Sequence, residues 1–184
     1  MTATKDTARA FYGIIPKSFV YSEGFRADVV KKFIDVLKKK VKQNKEFHAF
    51  LILDDVAFDK SIFKSKDIRE LSFNGRHQRI TVFITSQYAT VLPPDIRSNI
   101  DYVFCLRDNI RNSRKKLYEY FFGQFDSFQD FSKVLTVTTR DYGVLVLDRT
   151  NPTGDLDKCM FHYKANLRIK QHRLGNAQHP PHCN

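Results

Sequence analysis

Residues 50–87 read FLILDDVAFDKSIFKSKDIRELSFNGRHQRITVFITSQ, and the fold turns on how this stretch divides. The run FHAFLIL (47–53) is short, continuously apolar and bounded by polar residues. That pattern predicts a strand of a parallel sheet, buried on both faces. It ends in Asp54-Asp55. Ser65 can cap a helix over 65–75, with Ile68 and Leu71 inward and Asn74-Gly75 as the stop. ITVFIT (80–85) is a second apolar strand, and it ends in Ser86-Gln87.

Outward from this stretch the same alternation continues. Toward the amino terminus, Val30, Phe33, Ile34, Leu37 and Val41 form one stripe of a helix over 26–45. Its other face is lysine-rich, which suits either solvent or phosphates. Residues 1–22 read as irregular and then extended, since Pro16 excludes a helix, with a short strand over 18–21. Toward the carboxyl terminus, Pro93-Pro94 ends an extended path and Asp95 opens a single helical turn. YVFCL (102–106) is a third strand. Asn112 or Ser113 can cap a helix reaching Phe122, and Ser127 a second one with Phe128, Phe131, Val134 and Leu135 inward. GVLVL (143–147) is a fourth buried strand, TNPTGD (150–155) a turn cluster, and 160–163 a last edge strand. Strands alternating with helices predict an α/β class with a mostly parallel sheet flanked by helices. The core spans 1–166. Residues 167–184 form a basic tail with too little apolar content to order itself. Its His172, His179, His182 and Cys183 sit too close together, around two prolines, to close a zinc site alone.

Composition narrows the class. With 184 residues, 42% of them hydrophobic and 17 of them Phe, the chain can bury a core and is not a disordered segment. No apolar run approaches the ~18–20 residues that span a bilayer, and MTATKDTARA has no signal-peptide pattern. Three irregularly spaced cysteines fit free thiols in a reducing compartment. The net charge of +11 is uneven. Residues 1–48 hold 11 basic and 5 acidic residues, 49–157 hold 15 of each, and 158–184 hold 5 basic and none acidic. An excess of this size suits a polyanion, nucleic acid first, or simply solvated faces.

Ligands of parallel α/β sheets bind at the carboxyl ends of strands. Two such ends here carry Asp54-Asp55 and Ser86-Gln87. Phosphoryl transfer needs a carboxylate near magnesium, a group that activates water, and a contact to the γ-phosphate. Asp54 fits the first role, through water, Asp55 the second, and Gln87 the third. Two other readings stay open. The aspartates can simply begin a surface loop, or they can serve a metal-dependent nuclease, for which Asp148 is the one other carboxylate at a strand end.

The segments FLILDD, DIRELSFNGRH, ITVFITSQY and PPDIRSNIDYVFCLRDNIRNSRKKLYEYF closely resemble the DNA-packaging ATPases of large cytoplasmic DNA viruses. These are the poxvirus and giant-virus type, in the FtsK/HerA branch of P-loop motors. The resemblance runs on through FGQFDSFQDFSKVL, GVLVLD and MFHYKA and back to FYGIIPKSFVY, about residues 11 to 166. It implies a RecA-like (ASCE) P-loop NTPase fold using ATP and Mg2+, with FLILDD as the Walker B strand. Asp54 then takes the magnesium role, Asp55 activates water, and Gln87 is the sensor. It further implies a homo-oligomeric ring acting on double-stranded DNA with capsid or portal proteins, in the host cytoplasm (viral factory) or the virion. In such rings an arginine completes the neighbouring subunit's site. Arg76 of NGRH is the first candidate and Arg97 of PPDIRSN the second, with an ion pair to Asp101 as Arg97's alternative role. Lys60, Lys64 and Lys66 follow the aspartates in a loop suited to DNA phosphates.

One part of that fold is missing. No G-x-x-x-x-G-K-[ST] loop occurs in the sequence; Gly13, Gly24 and Gly75 are isolated. In the family this loop and its strand precede FYGIIPKSFVY, so the fold is expected to be incomplete at its N-terminus. The loop's strand pairs beside the strand matched by 80–85, leaving that strand one open edge. The phosphate-binding part then lies on a separate polypeptide, or the chain is a truncated copy, or the sheet has rearranged. The expectation is a packaging-motor ATPase segment that binds ATP weakly alone; the alternative is an inactive DNA-binding or assembly remnant.

Overall fold

Thr4 accepts a hydrogen bond from the Thr7 N–H at 3.2 Å and caps α1 (Lys5–Phe11), whose Ala8 is fully buried. This is the first departure from the sequence reading, which made residues 1–22 irregular and then extended. Seven residues with one inward alanine carry no periodicity to read. Pro16 stands before a 3-10 turn, Lys17–Phe19, in place of the expected strand. These features belong to a computed structural model that describes residues 1–44, 46–56, 60–150 and 155–166. Lys45, the centre of the 150–155 turn and the 167–184 tail with His172, His179, His182 and Cys183 lie outside the described residues.

Within the stretch read as one core, the described chain clusters into two units, Met1–Gln87 and a second that starts at Tyr88. In the first, Val30, Ile34 and Leu37 are the buried stripe of α2 (Ala27–Lys42). Strand β1 (Ala49–Asp54) follows. After it a 3-10 turn, Lys60–Lys64, buries Ile62 and Phe63, so the predicted basic loop is a helical turn anchored by two apolar side chains. Next come α3 (Lys66–Asn74), inward through Ile68 and Leu71, and β2 (Ile80–Thr85). β1 and β2 pair in parallel, with Ala49 opposite Ile80 and Asp54 opposite Thr85. Thr2 bridges to Asp54 on the other edge of β1. Among the described residues β2 pairs with β1 alone. The expectation of strands buried on both faces is met at Leu53 and Ile80; the rest of both strands is half-buried or open, with Phe83 49% exposed.

Gly75 is more than a stop signal. It closes α3 by donating to the Leu71 carbonyl at 2.9 Å and accepts from the Ile80 N–H at 2.9 Å. A Cβ there would lie 2.5 Å from the Leu71 carbonyl oxygen, so the NGRH turn has no room for a side chain.

Helices α2 and α3 are joined by Lys38, which ion-pairs with Glu70, while Gln78 Nε2 donates to the same carboxylate at 2.9 Å. The Lys38 ammonium holds the Glu70 carboxyl below the usual glutamate range. A depressed carboxylate stabilises the fold above its unfolded pKa, about 4.3, and loses that contribution as pH falls through the folded value. Thermal denaturation between neutral pH and pH 3 is therefore expected to show a smaller acid-side loss of Tm in Glu70→Gln than in the native chain. An identical loss in both would show that the pair contributes nothing.

In the second unit α4 (Pro94–Ser98) is the predicted helical turn, with Pro94 at its first position and Ile96 buried. β3 (Tyr102–Cys105) leads to α5 (Arg111–Phe121) and α6 (Phe128–Thr138). α5 starts ahead of the expected Asn112 or Ser113 cap, because Asp108 Oδ1 accepts from the Ile110 N–H at 2.8 Å and sets the turn. Ser127 caps α6 as predicted, accepting from the Asp130 N–H at 3.1 Å. Phe131 of α6 stacks on Phe122 with centroids 4.8 Å apart and meets Phe125 and Tyr118. β4 (Gly143–Asp148) is buried from Gly143 to Leu147. A Cβ on Gly143 would lie 2.1 Å from the Thr138 carbonyl oxygen, so only glycine fits where the chain enters the strand. α7 (Leu156–Cys159) and β5 (Met160–Lys164) follow.

The α/β class and the parallel pair stand, but β3, β4 and β5 pair antiparallel. Two helices between β3 and β4, instead of one, reverse the chain one extra time. Among its described residues the β4–β5 link carries a one-turn helix, short of the crossover helix that a parallel pair usually has. Cys105 and Cys159 are free and buried, and burial pushes the Cys105 thiol up to about 12, so it is inert. Among the described residues no helix is long and apolar enough to cross a membrane.

Candidate functional site

The parallel register places the carboxyl ends of β1 and β2 side by side, Asp54 against Thr85. Thr85 Oγ1 donates to Asp54 Oδ1 at 2.8 Å and accepts from the Asp55 N–H at 2.9 Å. One hydroxyl therefore orients the first aspartate and fixes the backbone of the second. Main-chain pairing completes the hold, with the Asp54 N–H donating to the Met1 carbonyl at 2.8 Å. Asp55 has φ +51, in the left-handed region that non-glycine residues seldom adopt. Aspartate tolerates it better than most, at a cost of roughly 1–3 kcal/mol. The turn swings the Asp55 carboxylate toward β2, where Oδ2 accepts from Gln87 Nε2 at 3.2 Å. Asp54 and Asp55 are half-buried, while Thr85 and Gln87 are open to solvent.

Three residues that the sequence singled out, Asp54, Asp55 and Gln87, thus come together. The fourth member, Thr85, was not assigned a role. Its partnership comes from the parallel register, which sets the last residue of β2 against Asp54.

Arg76 lies apart. It is exposed in the turn after α3, at the amino end of β2. Six residues of strand, at ~3.3 Å each, put roughly 20 Å between it and the aspartates. Arg97 is half-buried in the second unit. Its guanidinium carbon sits 3.6 Å from the Tyr120 ring centroid and Nη1 donates to the Leu92 carbonyl at 3.1 Å. Arg149 closes this turn, donating to the carbonyls of Arg97 and Ile100. Lys64 and Lys66 are exposed on the segment after the aspartates. The Lys60 side chain lies outside the described residues.

The donors suit a hard, strongly hydrated cation better than a protein-caged one. Asp54 keeps Oδ2 clear of the Thr85 bond, and magnesium usually takes one or two carboxylates and fills its shell with water and phosphate oxygens. Among the described residues no group of three or more His, Cys, Asp or Glu gathers as a metal cage. Asp148, the third carboxylate of the nuclease reading, is engaged by the Thr150 N–H and hydroxyl at 2.8 and 2.7 Å.

The α/β fold that carries these residues is shared with solved nucleoside triphosphatases. The chain is similar to the genome packaging NTPase B204 from Sulfolobus turreted icosahedral virus 2, solved with AMPPCP. The TM-score is 0.57 with 18% identity, covering 91% of this chain and 74% of that one. Residues 23–119, more than half of the sequence, match the family described as Poxvirus A32 protein, and the chain belongs to that family. It is 32% identical over 170 residues to a protein of Invertebrate iridescent virus 6, covering 90% of this chain and 64% of that protein. With a protein of Acanthamoeba polyphaga mimivirus the identity is 34% over 177 residues, covering 90% and 62%. The chain thus spans less than two thirds of the length of these two relatives.

Proposed function

We propose that this chain is the magnesium- and water-handling part of an ATPase motor that drives double-stranded DNA into a viral capsid. The observation that carries the reading is the Asp54–Thr85–Asp55–Gln87 cluster at the carboxyl ends of two parallel strands. Asp54 would hold Mg2+, directly or through water, and the ion would neutralise charge developing on the phosphates of ATP. Asp55, in a turn that faces β2, accepts the proton of the attacking water. Gln87 donates to Asp55 in this state and is near enough to turn its amide to the γ-phosphate. Thr85 keeps both carboxylates in register. The phosphate-gripping loop is no part of this sequence, so the site is completed by a loop from elsewhere.

Within a homo-oligomeric ring, Arg76 is the better candidate for an arginine acting on a neighbour's nucleotide. It is exposed and stands at the opposite end of β2 from its own aspartates, whereas Arg97 is half-buried. Capsid or portal proteins are the expected partners, in a cytoplasmic viral factory or the virion. The missing loop favours a second reading, an inactive DNA-binding or assembly remnant. The purified chain alone is expected to show no magnesium-dependent ATPase, and to support hydrolysis once the polypeptide bearing the loop is added. Hydrolysis by the chain alone contradicts the division of the site. None from the combination leaves the remnant.

Lys64 and Lys66 offer sequence-independent phosphate contacts. Replacing both with alanine is expected to lower the slope of log affinity for duplex DNA against log salt by about 2, near 0.9 per contact. An unchanged slope would take this segment off the DNA path.

A further inference from the structure

Helices α5 and α6 enclose an open groove of about 570 Å³, and its chemistry is one-sided. Arg111, Arg114 and Lys133 line it, and no aspartate or glutamate does. Arg114 is half-buried, and its bonds go to uncharged acceptors. Nε donates to the Asp108 carbonyl at 2.5 Å, and Nη1 to Ser132 Oγ and Thr136 Oγ1, each at 2.9 Å. These contacts engage Nε and Nη1 and hold the guanidinium, which lines the groove, in one orientation. A fixed guanidinium with no carboxylate partner among the described residues is a preformed donor site for a phosphate oxygen. Arg111 stands exposed at the start of α5, with no ion pair among the described residues. Lys133 leans on Asp130 at 3.4 Å, an exposed pair that costs little to break. Asp130 is itself drawn to the Ser127 hydroxyl at 2.6 Å. The remaining bases of α5 are disposed differently: Lys116 pairs with Glu119, while Lys115 is exposed beside Arg111 on the same helix.

We propose that this groove binds the phosphodiester backbone of double-stranded DNA, with Arg114 as the oriented contact and Arg111 and Lys133 as flanking charges. An open groove with charge along both walls fits a continuous backbone. The contacts are to phosphate and carry no base readout, as a motor moving any sequence requires. The proposal rests on the motor reading only for the choice of duplex DNA as the ligand.

The test measures anisotropy of a labelled DNA duplex with the full chain across a chloride series, for the native protein and Arg111→Ala/Lys133→Ala. Both replaced side chains are exposed at the groove, so Tm is expected to hold while the salt slope falls by about 2. Arg114→Lys keeps the charge but loses the fork. It is expected to weaken binding further than its Tm change explains. An unchanged slope in the double variant with Tm intact overturns the proposal. Inorganic phosphate or ATP displacing the duplex where matched chloride does not, and only while Arg111 is present, also overturns it, because the groove then takes a small phosphate. The salt slope of duplex binding is read without nucleotide, so a failed hydrolysis reading and a failed groove are separate results.

Discussion

Asp55→Asn is expected to reduce magnesium-dependent ATP hydrolysis by about 10²- to 10⁴-fold, the usual contribution of a positioned general base. The assay supplies a phosphate-binding loop together with this chain, in one polypeptide or in trans. Asparagine is the informative replacement because it changes one property. It tolerates the left-handed backbone at φ +51 as aspartate does, so the turn survives. Its side-chain oxygen can still accept from Gln87 Nε2, and its N–H can still donate to Thr85 Oγ1. What it lacks is the charge and the basicity to take a proton from water. Nucleotide affinity and Tm are accordingly expected to stay near native values while turnover falls. Thr85→Val should give an intermediate loss, since it removes the hydroxyl that orients Asp54 and fixes Asp55. Native turnover in Asp55→Asn would end the assignment of the base.

Phe131→Ala is expected to destabilise the chain by ~3–5 kcal/mol, the range for emptying an aromatic site in a core. Phe131 is fully buried, stacked on Phe122, edge-on to Phe125 and 5.9 Å from Tyr118. Four rings from α5, α6 and their connection meet there, so the cavity cannot close by shifting one side chain. For a unit of this size the loss corresponds to a fall in Tm of more than about 10 °C. Val137→Ala, on the same helix but 61% exposed, is expected to change stability by less than about 0.5 kcal/mol. Similar Tm losses in the two variants would mean that the aromatic cluster is not the core of the second unit.

The elements with the strongest local patterns were the most legible. ITVFIT became a strand at the expected residues, and Ser127 capped α6 as its position before Phe128, Phe131 and Leu135 required. Both depend on neighbours within a few residues. α1 was missed because its inward face is one alanine, and the Lys60–Lys64 turn because two buried residues in five make no period. The direction of β3 against β4 depends on how α5 and α6 pack, and no residue in those two strands encodes it.

The candidate site divides along the same line. The sequence by itself determined that Asp54, Asp55 and Gln87 stand at strand ends, because an apolar run stops where its polar residues begin. Only the tertiary structure decided that those ends are adjacent and that Thr85 joins them, since parallel register is a contact across some thirty residues. It also decided that Arg97 stacks on Tyr120 while Arg76 stays exposed, and that Arg114 meets the hydroxyls of Ser132 and Thr136. Partner choice is settled by packing geometry at distances the linear pattern does not carry.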